Sequence, residues 1–149
     1  MLSRRFFSVV SLMMVLAVLS ACGGAPPISL AEVPKFPGST PMQAGTNPFA
    51  DTVLEQFNTT MSEQNLKLEQ ELYSIPQETT WEDIKAFYSD NSQISGGNWT
   101  PSADMTQESE GFSSMGWTRN GGRQVLLVGH SPDLLNNNSQ FLLIVLASQ

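Results

Sequence analysis

A chain of 149 residues with one cysteine and one histidine can close no internal disulfide and build no multi-histidine metal site. Its 14 acidic residues against 7 basic ones leave a net charge of −7, the wrong sign for a nucleic-acid footprint. Once a leader is set aside, the length suits one domain at about 100–200 residues per domain.

Residues 1–21 have the three parts of a secretory signal. Arg4 and Arg5 form its positive start, and residues 6–19 are largely apolar but shorter than the about 20 that span a bilayer. Leu19-Ser20-Ala21-Cys22 then precedes Gly23-Gly24. Bulky Leu19, three residues before a cut after Ala21, disfavours ordinary signal peptidase. The motif Leu19, Ser20, Ala21, Cys22 resembles the lipobox of bacterial lipoproteins. That resemblance implies a diacylglycerol thioether and an N-acyl chain on Cys22, and no other cofactor. It also implies a domain held by its lipid on the extracytoplasmic face of a membrane. Gly23, in place of an aspartate, implies the outer rather than the inner membrane where the host has two. Ser3-Arg4-Arg5-Phe6-Phe7 further resembles a twin-arginine export start, although the short, strongly apolar leader favours the general route.

Residues 22–48 read as the lipidated cysteine and a Pro/Gly-rich tether, holding six of the nine prolines and four of the eleven glycines. A fully loose stretch of this length would span about 30 Å. Residues 33–38, with Val33 and Phe36 before Pro37-Gly38, suit a short edge strand of the domain. Asn47-Pro48 predicts a helix start, and Phe49, Val53 and Phe57 share one face of a helix from 48 to about 57. Residues 66–75 fit a strand through Leu66, Leu68 and Leu72 nearly as well as a helix, and strand is preferred because a helix follows almost at once. Thr79 with Glu82 forms a capping box for that helix, and Trp81, Ile84, Phe87 and Tyr88 form its apolar stripe to about Asn91.

Gly96-Gly97 breaks the chain, and Trp99 begins the β-rich remainder. Residues 111–119 hold Phe112, Met115 and Trp117, and Asn120-Gly121-Gly122 signals a hairpin. Residues 124–129 and 140–146 are continuous apolar runs, as in buried central strands, with 130–139 as the loop between them. Residues 49–149 therefore read as a single α+β domain, two short helices packed on a small antiparallel β-sheet. Phe36-Pro37-Gly38, Thr80-Trp81-Glu82, Phe87-Tyr88 and Gly116-Trp117 give the body a loose resemblance to small uncharacterised bacterial lipoprotein domains, which implies a fold and no activity.

No nucleophile motif accompanies His130, which reads as a strand-end residue in a solvated loop. The pairs Glu69/Glu71 and Glu108/Glu110 lie in no calcium-loop pattern and read as acidic strand edges. No catalytic or metal residue is assigned. Trp81 reads as core, whereas Trp99 and Trp117, beside polar and glycine-rich segments, are candidates for a binding surface. The expected function is a lipid-anchored, non-catalytic binding or interaction module of the cell envelope, partnered by the membrane and by an envelope protein or small ligand. The alternatives are an envelope hydrolase using carboxylates or His130, and a structural envelope component.

Overall fold

The computed structural model describes residues 24–43, 45–62, 66–90, 94, 96–109, 111–133 and 139–149, with backbone only at 57 and 60–62. A 3-10 turn at Leu30–Glu32 leads into β1 (Thr40–Pro41), α1 (Pro48–Ser62), β2 (Lys67–Ser74) and α2 (Trp81–Ser89). Four strands follow: β3 (Thr100–Glu108), β4 (Ser113–Arg119), β5 (Gln124–Pro132) and β6 (Gln140–Ser148). All six pair antiparallel in the order β1-β2-β6-β5-β4-β3. The last strand in the chain thus lies at the centre, between β2 and β5.

Alternation along the strands sorts apolar side chains onto two faces. Leu142, Ile144 and Leu146 of β6 share one face with Leu126 and Val128 of β5 and pack with Ile84 and Tyr88 of α2. Phe141, Leu143 and Val145 share the opposite face with Leu127 and pack with Ala50, Phe49 and Leu54 of α1. One helix therefore serves each face, which is why the run at 141–147 is apolar at every position. All seven of those residues are at most 2 % exposed. Over β4 and β5 on the α1 face, side chains lie directly on glycines. A Cβ at Gly129 would come 2.6 Å from Phe112 Cζ, and one at Gly116 would come 2.7 Å from Met105 Cβ.

This overturns the expected fold class. The sheet is not small: six antiparallel strands dominate the described residues, and the two α-helices are accessories to it. β3 follows the strand start read at Trp99, but its side chains are almost all exposed and carry no apolar alternation to mark its course. It is an irregular edge strand, its register slipping between Ser102 and Gln107. The inter-strand loop was also overdrawn, because His130, Ser131 and Pro132 continue β5 against Leu142, Phe141 and Gln140.

The stretch expected to be a tether is in part body. Ile28, Leu30 and Val33 are buried in the core of the α2 face, so apolar residues scattered among prolines found partners that composition alone does not reveal. The edge strand falls at Thr40–Pro41 rather than 33–38, where Pro37-Gly38 forms a turn.

Local signals fared better. Asn47 caps α1 as predicted, its Oδ1 accepting from the amides of Phe49 and Ala50, both at 3.0 Å. The helix runs on through the Asn-Thr-Thr segment to Ser62, and the side chain of Phe57 lies outside the description. At α2 the capping pair is shifted by one, with Thr80 as cap and Asp83 as its partner. Asn47 has a second task, since its Nδ2 donates to Asp133 Oδ2 at 2.6 Å beside a buried carboxylate. Asp is ordinarily as good an N-cap as Asn. Here Asn47→Asp would set two carboxylates against each other and is expected to lower stability by about 2 kcal/mol in denaturant unfolding, as much as Asn47→Ala.

Candidate functional site

His130 does not sit in a solvated loop. It lies within β5, half-buried, with its ring stacked on Trp81 of α2 at 6.1 Å between centroids and 11° between planes. Its Nε2 lies 2.8 Å from Gln140 Oε1. Gln140 Nε2 already donates to the carbonyls of Pro76 at 2.5 Å and Thr79 at 3.0 Å. The Gln140 oxygen is therefore an acceptor, and the neutral imidazole must carry its proton on Nε2. The arrangement ties β5 and β6 to the turn before α2.

Burial holds the His130 imidazole below its ordinary value of 6.5, with the Gln140 hydrogen bond opposing. The unfolded chain then binds the proton more readily than the folded one. This part of the stability is complete above about pH 7 and is lost as the pH falls through 6.5 towards the folded value. Because the chain has one histidine, His130→Asn should flatten the slope of unfolding free energy between about pH 7 and pH 5.

Beside this ring, Glu108 accepts from Trp81 Nε1 at 3.0 Å and from Lys85 Nζ at 2.8 Å, and Lys85 also reaches Glu82 at 2.6 Å. The Lys85 ammonium, then the indole N–H, holds the Glu108 carboxyl below its usual range. These contacts are on the surface and fasten β3 to α2. Glu110, two residues on from Glu108, lies outside the described residues. Glu69 and Glu71 do share the α2 face of β2. The first accepts from the Leu30 amide at 2.8 Å and from Lys67 at 3.2 Å, and the second accepts from the Tyr73 hydroxyl. Among the described residues no three His, Cys, Asp or Glu side chains come together as metal ligands.

The tryptophans proposed as a binding surface are core. Trp99 and Trp117 are 4 % and 3 % exposed and pack on the α2 face of the sheet. Trp117 lies on a strand covered by the N-terminal segment and its neighbours, and Trp99 lies beneath the Arg119 guanidinium at 5.6 Å. Leu19, Ser20, Ala21 and Cys22 lie outside the described residues.

No family model, no curated protein and no solved structure matches the chain.

Two polar residues that sequence reasoning passed over organise the N-terminal segment. Gln124, 2 % exposed, uses its side-chain amide like a short strand: Oε1 accepts from Ile28 N at 3.2 Å and Nε2 donates to Ile28 O at 2.9 Å. Arg119, also 2 % exposed, donates to Gly96 O at 2.8 Å and reaches Gln124 Oε1 at 3.4 Å, while its Nε has no partner. Gly96 is needed there twice over, with φ at +86° and with Arg119 Nη1 2.6 Å from where a Cβ would stand. Their sequence signal was a hairpin turn flanked by Arg119 and Gln124, which reads as solvated until Ile28 is known to lie across it.

A third feature lies at the other end of the sheet. A cleft of about 260 Å³ opens beside β2, lined by Met42, Leu54, Gln70, Glu71, Leu72 and Lys35. Gln70 Oε1 is buried and accepts no hydrogen bond. An acceptor left so costs about 1–3 kcal/mol.

Proposed function

We propose that the protein is a lipid-anchored envelope lipoprotein whose domain serves as an interaction module on the extracytoplasmic face. The observation that carries the anchor is Leu19-Ser20-Ala21-Cys22: the chain's one thiol follows directly on an apolar run behind Arg4-Arg5. The interaction reading is supported by where the strong polar groups are spent. Gln140 holds His130, Gln124 holds Ile28, and Lys85 with Trp81 holds Glu108, so each braces the fold. The cleft beside β2 offers a concave, partly apolar surface to a partner. In a host with two membranes, Gly23 after the cysteine favours the outer one.

Cells expressing the protein and fed an alkyne-tagged palmitate should yield a labelled band, and Cys22→Ala should lose the label and either accumulate as precursor or be released. Label retained by Cys22→Ala would overturn the anchor. A zymogram on envelope material that clears with the parent but not with His130→Ala would make the domain a hydrolase instead.

A further inference from the structure

The N-terminal segment is fastened to the body almost from its first described residue. Asn120 Nδ2 donates to Ala25 O at 2.7 Å, and the Gln124 side-chain amide pairs with both backbone groups of Ile28. Leu30 N donates to Glu69 Oε2 at 2.8 Å, and the Tyr88 hydroxyl donates to Pro34 O at 3.0 Å. Ile28, Leu30 and Val33 of this strap are buried. The strap begins on the turn between β4 and β5, where a Cβ at Gly24 would come 2.9 Å from Asn120 Oδ1. Cys22 stands two residues before Gly24, and two residues of chain reach at most about 7 Å. The thiol that carries the lipid in the reading above is therefore held close to the turn, without the about 30 Å of slack that a loose tether would give.

We propose that the strap fixes the domain's orientation on the membrane, with the β4–β5 turn and Gln149 against the lipid headgroups and the start of α2 pointing away. The proposal rests on the lipid-anchor reading and adds the surface that meets the bilayer. The register places Lys67, Ser148, Gln124 and Arg119 in one row at the anchored end. Exposed Arg123 and Gln149 adjoin that row, the Gln149 amide donating to Arg123 O at 2.9 Å. Charge at this end is close to balanced. Lys67 pairs with Glu69 at 3.2 Å, Glu32 accepts from Ser29 within the strap, Arg119 is buried and Arg123 is exposed. The opposite end gathers Asp51, Glu78, Glu82, Asp83, Glu108 and Asp133 around the two helix starts and the close of β3 and β5, with Lys85 among them. From Ser148 to Gln140 along β6, at about 3.4 Å per residue, the two ends lie about 27 Å apart. A bilayer containing anionic lipid carries a negative surface potential, which salt screens over about 8 Å. The chain has 14 acidic residues against 7 basic ones, two of them in the leader. Such a body is repelled least in the pose that the strap imposes, with its acidic end about three screening lengths out.

With lipid on Cys22, a cysteine introduced elsewhere is the chain's one free thiol. Gln149 and Glu78 are exposed at the two ends. Nitroxides on Gln149→Cys and on Glu78→Cys report on them in the full-length lipidated protein, reconstituted in phosphatidylcholine–phosphatidylglycerol vesicles. Nickel-chelating headgroups added to the vesicles should enhance relaxation at the Gln149 site at least tenfold more than at the Glu78 site. An insertion of about 20 Gly and Ser residues between Gly24 and Ala25 gives an r.m.s. reach of about 25 Å and should bring the two sites within about twofold. Equal relaxation at the two sites without the insertion, or the greater effect at Glu78, would overturn the orientation. So would a contrast that survives the insertion, since the domain's surface rather than the strap would then set the pose. Mass spectrometry of the same preparation separates this failure from that of the reading beneath it. A chain without acyl groups on Cys22 overturns the anchor and the orientation together, whereas equal relaxation on a lipidated chain overturns the orientation alone.

Discussion

Ile144→Asp is expected to abolish the cooperative unfolding transition of the domain. Ile144 is 2 % exposed on the central strand, where its neighbours across the sheet are Val128 of β5 and Glu71 of β2. A carboxylate placed there loses its water, finds no cation, and has a second carboxylate-bearing residue directly opposite. The effective penalty for such a buried charge is several kcal/mol, against a total stability of about 5–15 kcal/mol for a small domain. Denaturant unfolding followed by tryptophan fluorescence is the measurement, since Trp99 and Trp117 are both buried in the parent. The matched control is Asp104→Ala on the exposed edge strand, which should shift stability by no more than about 0.5 kcal/mol. A sigmoidal parent-like transition for Ile144→Asp would show that β6 is not the core strand described above.

The second large effect is expected at Arg119. Its guanidinium joins β4 to the Gly96 carbonyl and to Gln124, and lies over Trp99. Arg119→Ala leaves that carbonyl unpaired, takes from Gln124 Oε1 one of its two donors, and opens a hole beside the indole. A hydrogen bond from a charged donor is worth about 1.5–3 kcal/mol, and the cavity adds to it, so a loss of about 3–4 kcal/mol is expected. Arg119→Met keeps most of the volume and should lose about half as much. Because Gln124 also grips Ile28, the alanine variant should become sensitive to proteolysis near residues 25–33 before the rest of the domain opens. Equal stability of Arg119→Ala and the parent would mean that the buried cation contributes nothing net.

The elements that were legible in the sequence are those whose signal is local. Asn47-Pro48 announces α1 because a cap and a fixed φ need no distant partner, and Trp81, Ile84 and Tyr88 announce α2 because their spacing matches one helical face. The runs at 124–129 and 140–146 announce buried strands. What was not legible depends on contacts far along the chain. β3 is almost wholly exposed and exists because Ser113–Arg119 offers it an edge to pair with. Ile28 looks like spacer until Gln124, nearly a hundred residues later, supplies its hydrogen-bonding partner, and Leu30 until Glu69 accepts from its amide. Trp99 and Trp117 were misplaced for the same reason. Their polar, glycine-rich neighbours suggested solvent, but the N-terminal segment folds over that side of the sheet. At His130, Pro132 and the three asparagines beyond it suggested a loop, whereas pairing with Leu142 keeps it in the strand. The cleft beside β2 was invisible in advance, since nothing in residues 66–75 tells how short β1 will be.

The central position of β6 also sets the order in which the domain can be made. While the ribosome has yet to deliver Gln140–Ser148, β2 and β5 have no common neighbour, and the halves of the sheet on either side remain separate. The hairpin of β4 and β5 can form early from local contacts, but the pairing of Lys67 with Ser148 closes a loop of most of the domain. Long-range closures of this kind place folding in the slow, millisecond-to-second range typical of β-rich topologies. Folding therefore waits for the last strand, and until Gln140–Ser148 is in place neither apolar face of the sheet has its central row to close over.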